Sequence, residues 1–187
     1  GGDDGAIHRY DASGKQLWSV TIPYVHIGWP HWSDGRSRIR ELTSADIDGD
    51  GEQEILVSNG DRRLYALTAS GKVLWKRGVR WGVPIAMTPT TYRDRIALFS
   101  GVTGPTLAGR VKIHDAQANA IGLQIPHQHS QQIRDLRLFD LTGNGQREII
   151  VARSTSSNQL VACNEDRSLL WEADMAGSAD ALAIRRN

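Results

Sequence analysis

Apolar positions along this chain fall into short runs, and no window of it carries the 3.6-residue stripe of an amphipathic helix. Ile55-Leu-Val57, Ile96-Ala-Leu-Phe99 and Ile149-Ile-Val151 are unbroken apolar segments with the length and β-branched content of buried strands. Turn residues punctuate them: Asn59-Gly-Asp61, Ser70-Gly71 and Gly143-Asn-Gly145. The clearest stretch reads as four strands, near 40–47, 54–58, 63–67 and 73–76, with a polar turn between each pair.

The pattern recurs. His8-Arg-Tyr-Asp-Ala-Ser-Gly-Lys-Gln-Leu-Trp18 returns as Tyr65-Ala-Leu-Thr-Ala-Ser-Gly-Lys-Val-Leu-Trp75, and in worn form as Val161-Ala-Cys-Asn-Glu-Asp-Arg-Ser-Leu-Leu-Trp171. A more distant copy is 111–121. Repeats of roughly 40–50 residues built from four short strands predict the blades of a β-propeller. The predicted fold is all-β, with units near 1–22, 38–79, 84–125 and 131–175, and with 178–187 as the inner strand of a further blade. In this reading Trp18, Trp75 and Trp171 pack between neighbouring blades. The units come to about three and a half, below the four to eight of closed rings. The expectation is either a section of a larger propeller or a homodimer of half-rings, with 181–184 of one copy completing the first blade of the other.

Between the first two predicted strands of the second unit lies Asp46-Ile-Asp-Gly-Asp-Gly-Glu-Gln-Glu54. Carboxylates at alternate positions converge when such a loop curls, and the glycines allow the curl. Calcium takes six to eight oxygens at about 2.3–2.6 Å. Asp46, Asp48, Asp50 and Glu54 are the expected side-chain ligands, with the carbonyl of Glu52 as a fifth. A weaker echo, Asp140-Leu-Thr-Gly-Asn-Gly-Gln-Arg-Glu148, lies 94 residues on, twice a 47-residue period. Asp140, Thr142, Asn144 and Glu148 form a candidate second site, with neutral side chains where two carboxylates would stand. The intervening unit has only Thr90-Thr-Tyr-Arg-Asp-Arg95 at this place.

Two resemblances follow from these residues. Leu64-Tyr-Ala-Leu-x-x-x-Gly-Lys-x-Leu-Trp75 resembles the blade repeat of quinoprotein-type (PQQ-like) propellers, and Asp46–Glu54 resembles the calcium loop of FG-GAP/VCBS propeller repeats. They imply a propeller fold and a Ca2+ ion at the first loop. Such families include adhesion modules, sugar-binding modules and some polysaccharide lyases. The adjacent cysteines usual in quinone-dependent dehydrogenases are missing, since Cys163 is the sole cysteine, so no bound quinone is expected.

Composition narrows the partners. With 22 basic and 21 acidic residues and no basic block, the chain has no electrostatic footprint for nucleic acid. No apolar run reaches the roughly 20 residues of a membrane span. The crossovers between units concentrate aromatic and imidazole groups: Tyr24, His26, Trp29, His31 and Trp32 in the first, Trp81 in the second, His127 and His129 in the third. In a propeller these crossovers share one face, opposite the metal turns. Aromatic faces stack on sugar rings while His bonds hydroxyls, so these eight residues are the candidate ligand-binding set. Arg38, Arg40, Arg134, Asp135 and Arg137 flank inner strands and are expected to form ion pairs around the axis.

The expected function is a calcium-stabilised binding module that presents this face to a carbohydrate or protein partner, with no catalytic residue assigned. One alternative is part of a propeller-type lyase of acidic polysaccharide; another is a structural or adhesion fragment with no small ligand. A calcium loop of this kind suits an extracellular or periplasmic setting.

Overall fold

The computed structural model describes residues 2–23, 37–79, 83–92, 95–103, 110–125, 132–154, 159–166, 168–177, 179 and 181–184. Every regular element among them is a strand. The first sheet is a hairpin of β1 (Ala6–Tyr10) and β2 (Gln16–Thr21). The second is a meander of β3 (Ile39–Ala45), β4 (Glu54–Asn59), β5 (Arg63–Leu67) and β6 (Val73–Gly78). The third comprises β7 (Val83–Tyr92), β8 (Arg95–Thr103), β9 (Arg110–Asp115) and β10 (Ala120–Ile125). The fourth comprises β11 (Gln132–Phe139), β12 (Glu148–Ser154), β13 (Leu160–Cys163) and β14 (Leu169–Ala173). All neighbours pair antiparallel in sequence order.

The sheets stack face to face, and the core lies between them rather than within any one. Ile7 of the first sheet and Ile22, just past its second strand, bury against Val57, Tyr65 and Leu67 of the second. Leu56, Leu64 and Ala66 on the other face of the second sheet bury against Met87 and Leu98 of the third. Ala97, Phe99, Val111 and Ile113 bury against Ile133, Leu136, Ile149 and Val151 of the fourth. Neighbouring residues Leu56 and Val57 thus serve two different cores. This is why the middle strands are continuously apolar instead of alternating: both faces are covered. Outer strands β6 and β14 alternate weakly and are largely exposed.

Inner strands β3, β7 and β11 also touch in succession, placing one edge of each sheet around a common axis. Radial four-stranded meanders sharing inter-sheet cores are the architecture of a β-propeller. Prolines 84 and 89 sit within β7 yet remain paired with Val102 and Leu98, as an edge strand allows. Gly101 is required by packing: a Cβ there would stand 2.5 Å from Cγ2 of Ile133 in the next sheet.

Strand positions agree closely with the sequence reading, including the direct β7–β8 hairpin where the metal loop is lost. Residues 181–184, expected as an inner strand, form no ladder among the described residues. Leu182 instead donates its N–H to Asp135 Oδ2 at 2.8 Å. Trp18 and Trp75 pack against inter-sheet cores as expected. Trp171 does not; it is 40% exposed, because no sheet covers the fourth on that side among the described residues.

Phe99 is fully buried between the third and fourth sheets. Phe99→Ala is expected to lower unfolding free energy by about 3–5 kcal/mol in urea titrations, with loss of one inter-sheet core.

Candidate metal site

The β3–β4 turn builds itself from the carboxylates of Asp46, Asp48 and Asp50. Asp46 accepts the N–H of Gly49 on Oδ1 at 2.6 Å and that of Gly51 on Oδ2 at 3.0 Å. Asp48 accepts from the N–H of Asp50 at 3.2 Å, and Asp50 from that of Glu52 at 2.8 Å. Gly49 and Gly51 take φ of 84° and 90°, a left-handed geometry that any Cβ would strain. The result draws one oxygen from each aspartate to within 4.8 Å of the others. Two ligands of a single calcium, each about 2.3–2.6 Å from the ion, stand at most about 5 Å apart. The spacing therefore fits one shared cation.

Glu54 has a different position. Its carboxylate is buried, and Oε2 accepts the N–H of Ile47 at 2.9 Å, tying the two strands at the neck of the loop. It stands outside the three-aspartate group. The contact found at Glu52 is its N–H on Asp50.

The β11–β12 turn repeats the design with less charge. Asp140 accepts from Gly143, Asn144 and Gly145 at 2.7, 3.1 and 3.0 Å, and Asn144 Oδ1 accepts from Gln146 at 2.7 Å. Glu148 accepts from the N–H of Leu141 at 2.6 Å and from the hydroxyl of Thr142 at 3.2 Å. Gly143 and Gly145 again have positive φ, 74° and 83°. The backbone bonds made by Asp50 in the first loop are made here by the neutral Asn144. A carboxylate at that position is not needed to close the turn.

Around the axis, charges from several sheets meet. Glu41 of β3 accepts the N–H of Met87 on β7 and lies 3.9 Å from the guanidinium of Arg137 on β11. Arg137 also pairs with Asp135 at 3.0 Å. Arg38 pairs with Asp3 at 2.8 Å. Arg38 and Arg137 make ion pairs as expected, while the Arg134 guanidinium lies 3.5 Å from the Ser154 hydroxyl, and the group is tighter than a solvated ring, since Asp135 is buried. Glu41 was missed in the sequence: its partners lie one and two repeats away. Burial pushes its carboxyl up to about 7, opposed by the Met87 N–H and Arg137 and reinforced by nearby Asp135.

Elsewhere, burial holds His114 neutral, its pKa lowered to about 4, with Nε2 3.0 Å from the Ser100 hydroxyl. Burial likewise raises the Cys163 thiol to about 11, leaving it unreactive. The proposed ligand face, Tyr24, His26, Trp29, His31, Trp32, Trp81, His127 and His129, lies outside the described residues.

Comparison with known proteins agrees with the fold. Residues 2–86, less than half of the chain, match the family of the lambda-carrageenase beta-propeller domain. Among individually curated proteins none matches. A solved structure of BBS1N in complex with ARL6DN, soaked with mercury, is similar with a TM-score of 0.65 at 14% identity, over 98% of this chain and 52% of that one. The Pseudomonas aeruginosa PilY1 C-terminal domain is similar at 0.61 and 19%, over 88% and 38%. The Dos1 propeller is similar at 0.52 and 9%, over 92% and 40%. At such identities the likeness carries the fold alone. The chain spans about half the length of these solved chains, or less. The protein is a β-propeller domain. No helix among the described residues is long and apolar enough to cross a membrane.

Because the folded pKa of Glu41 lies above its ordinary 4.5, folding binds its proton more tightly. Its contribution to stability is present at acid pH and is lost as pH rises through about 7. Glu41→Gln is expected to remove that loss. Thermal melts across this range should show the wild type falling relative to the variant, and parallel curves would exclude the effect.

Proposed function

We propose that the chain is a calcium-clamped propeller module whose rigid sheets present a crossover face to an acidic polysaccharide. The observation that carries the metal reading is the contrast between the two turns. The turn at 140–148 closes with Thr142 and Asn144. The turn at 46–54 shares the bonds to its first aspartate and to position 5, with Asp50 doing there what Asn144 does in the other, yet gathers Asp48 and Asp50 beside Asp46. Three carboxylates so close repel each other by about 1 kcal/mol per pair even at the dielectric of water. Turn geometry does not call for that cost; a shared divalent cation offsets it. Asp46, Asp48 and Asp50 would hold the ion, with the Glu52 carbonyl and Glu54 as the further expected oxygens. The ion would staple β3 to β4 at the edge of the second blade. Calcium outside the cell or in the periplasm is abundant enough to fill such a loop.

The carbohydrate part of the reading draws on the match of residues 2–86 to a domain whose name belongs to a carrageenase. That match also favours a second reading, in which the propeller is part of an enzyme acting on acidic polysaccharide, for which a lyase is the form expected from the sequence. A protein partner is the alternative occupant of the face; BBS1N, similar in fold, was solved in complex with ARL6DN.

Calcium at about a hundred times its Kd is expected to stabilise the fold by about 2.7 kcal/mol, or roughly 5–10 °C in Tm for a domain of this size. Asp48→Asn with Asp50→Asn should abolish the shift, whereas Asn144→Ala should leave it. Equal melting in calcium and in EGTA would end the metal reading.

Migration through gels containing carrageenan or polygalacturonate is expected to be retarded relative to gels with a neutral glucan. Unretarded migration in both would count against the polysaccharide. Release of an ultraviolet-absorbing unsaturated product from polygalacturonate, whose uronate carboxyl permits β-elimination, would favour the lyase reading over the binding module.

A further inference from the structure

The seam between the first and second sheets is filled at one end and hollow farther along. At the filled end Trp18 donates its indole N–H to the Ala69 carbonyl at 3.0 Å. Its ring lies so close to Gly71 that a Cβ there would stand 3.2 Å from Cε3. Farther along, β2 stops at Thr21 and Ile22 turns inward. Ile22 donates its N–H to the Gly5 carbonyl at 3.0 Å and buries its side chain with Tyr65 and Leu67. Where the strand gives way to this turn, a cavity of about 570 Å³ opens beside β6.

Ile22, Pro23, Tyr65 and Leu74 give the cavity an apolar wall, and its charged lining residues are Lys76 and Arg77. Sites for small molecules have volumes of roughly 300–1,000 Å³ and this same composition, apolar walls with a few polar groups. The wall is held in place from behind. Tyr65 donates its hydroxyl to Asp61, and the Asp61 carboxylate is matched by Arg63 at 3.1 Å. That acid is therefore spoken for, and no lining residue of the cavity is acidic. Lys76 and Arg77 are exposed on the outermost strand of the sheet, and neither makes an ion pair among the described residues. Arg77 bends back so that Nη1 donates to the Lys76 carbonyl at 3.2 Å, which keeps the two cations at one place. A rigid apolar wall beside two adjacent cations is complementary to a ligand with an apolar face and an anionic substituent.

We propose that this groove is a subsite for one anionic sugar residue of a polysaccharide. The C–H face of the ring lies on Pro23, Tyr65 and Leu74, and its sulfate or carboxylate is held by Lys76 and Arg77. A guanidinium presents paired donors that match either group. The assignment rests on the acidic-polysaccharide reading above and narrows it to the residues that take the charge. β2 and β6 both end beside the groove and lead into crossovers, so the subsite borders the face already proposed.

Amide chemical shifts of the isotope-labelled chain, followed by NMR as a carrageenan tetrasaccharide or tetragalacturonate is added, test this. Shifts centred on Ile22 and on 73–77 are expected with at least one of the two, and the one that binds more tightly identifies sulfate or carboxylate as the group held. Lys76→Gln with Arg77→Gln is expected to raise Kd by about tenfold or more, as is Leu74→Asp. These side chains are exposed, so the far-ultraviolet circular dichroism should stay that of the wild type. A neutral agarose tetrasaccharide should leave the same amides unmoved. Shifts confined to other residues, or a Kd that the substitutions do not change, would overturn the groove while the polysaccharide reading stands. Silence toward both acidic tetrasaccharides overturns the groove alone if the polymer gels still retard the protein, and both readings if they do not. Equal shifts with polyglutamate would show charge attraction without sugar recognition and would overturn the proposal.

Discussion

Burial of strands on both faces is the constraint from which this architecture follows. The second and third sheets each present two apolar surfaces, as Leu56 and Val57 show by serving different cores. A sheet apolar on both sides cannot stand alone in water, so it needs a neighbour on each side. Repetition of one sequence unit meets that need, because every copy brings the complementary face. Close approach then becomes a matter of single residues: Gly101 leaves room for Ile133, and Gly71 for Trp18.

Against that scaffold, the two acidic turns share an architecture and differ in charge. Both turns depend on an aspartate at the first position and on paired left-handed glycines. Both are tied at the neck by a buried glutamate, Glu54 or Glu148, that accepts the backbone N–H of the turn's second residue, Ile47 or Leu141. Those features are architectural and recur where the charge does not. What differs is the charge: Asp48 and Asp50 stand where the second turn has the neutral Thr142 and Asn144.

The repeat made most of the fold legible before any coordinates. Apolar triplets marked the doubly buried strands, and glycine-containing turns marked their ends, so β4 and β5 fall where the pattern places them. Convergence of Asp46, Asp48 and Asp50 was also readable, because a turn of nine residues is local and its geometry is governed by its own glycines. What could not be read was long-range. Glu41 looks like an ordinary polar residue of an alternating strand; only the placement of Met87 and Arg137 beside it removes water from its carboxylate. The worn repeat ending in Trp171 read as a buried anchor, since the residue type states what it packs against but not whether that surface is present.

The prolines of β7 have a consequence for the space at the axis. Pro84 and Pro89 each lack a backbone N–H while keeping their places opposite β8. A proline tolerated in a paired edge strand turns its missing donor toward the open side, which here is the hub. A foreign strand arriving from the hub would find two gaps in the ladder it needs. The inner rim of the third blade thereby offers any added strand an interrupted ladder.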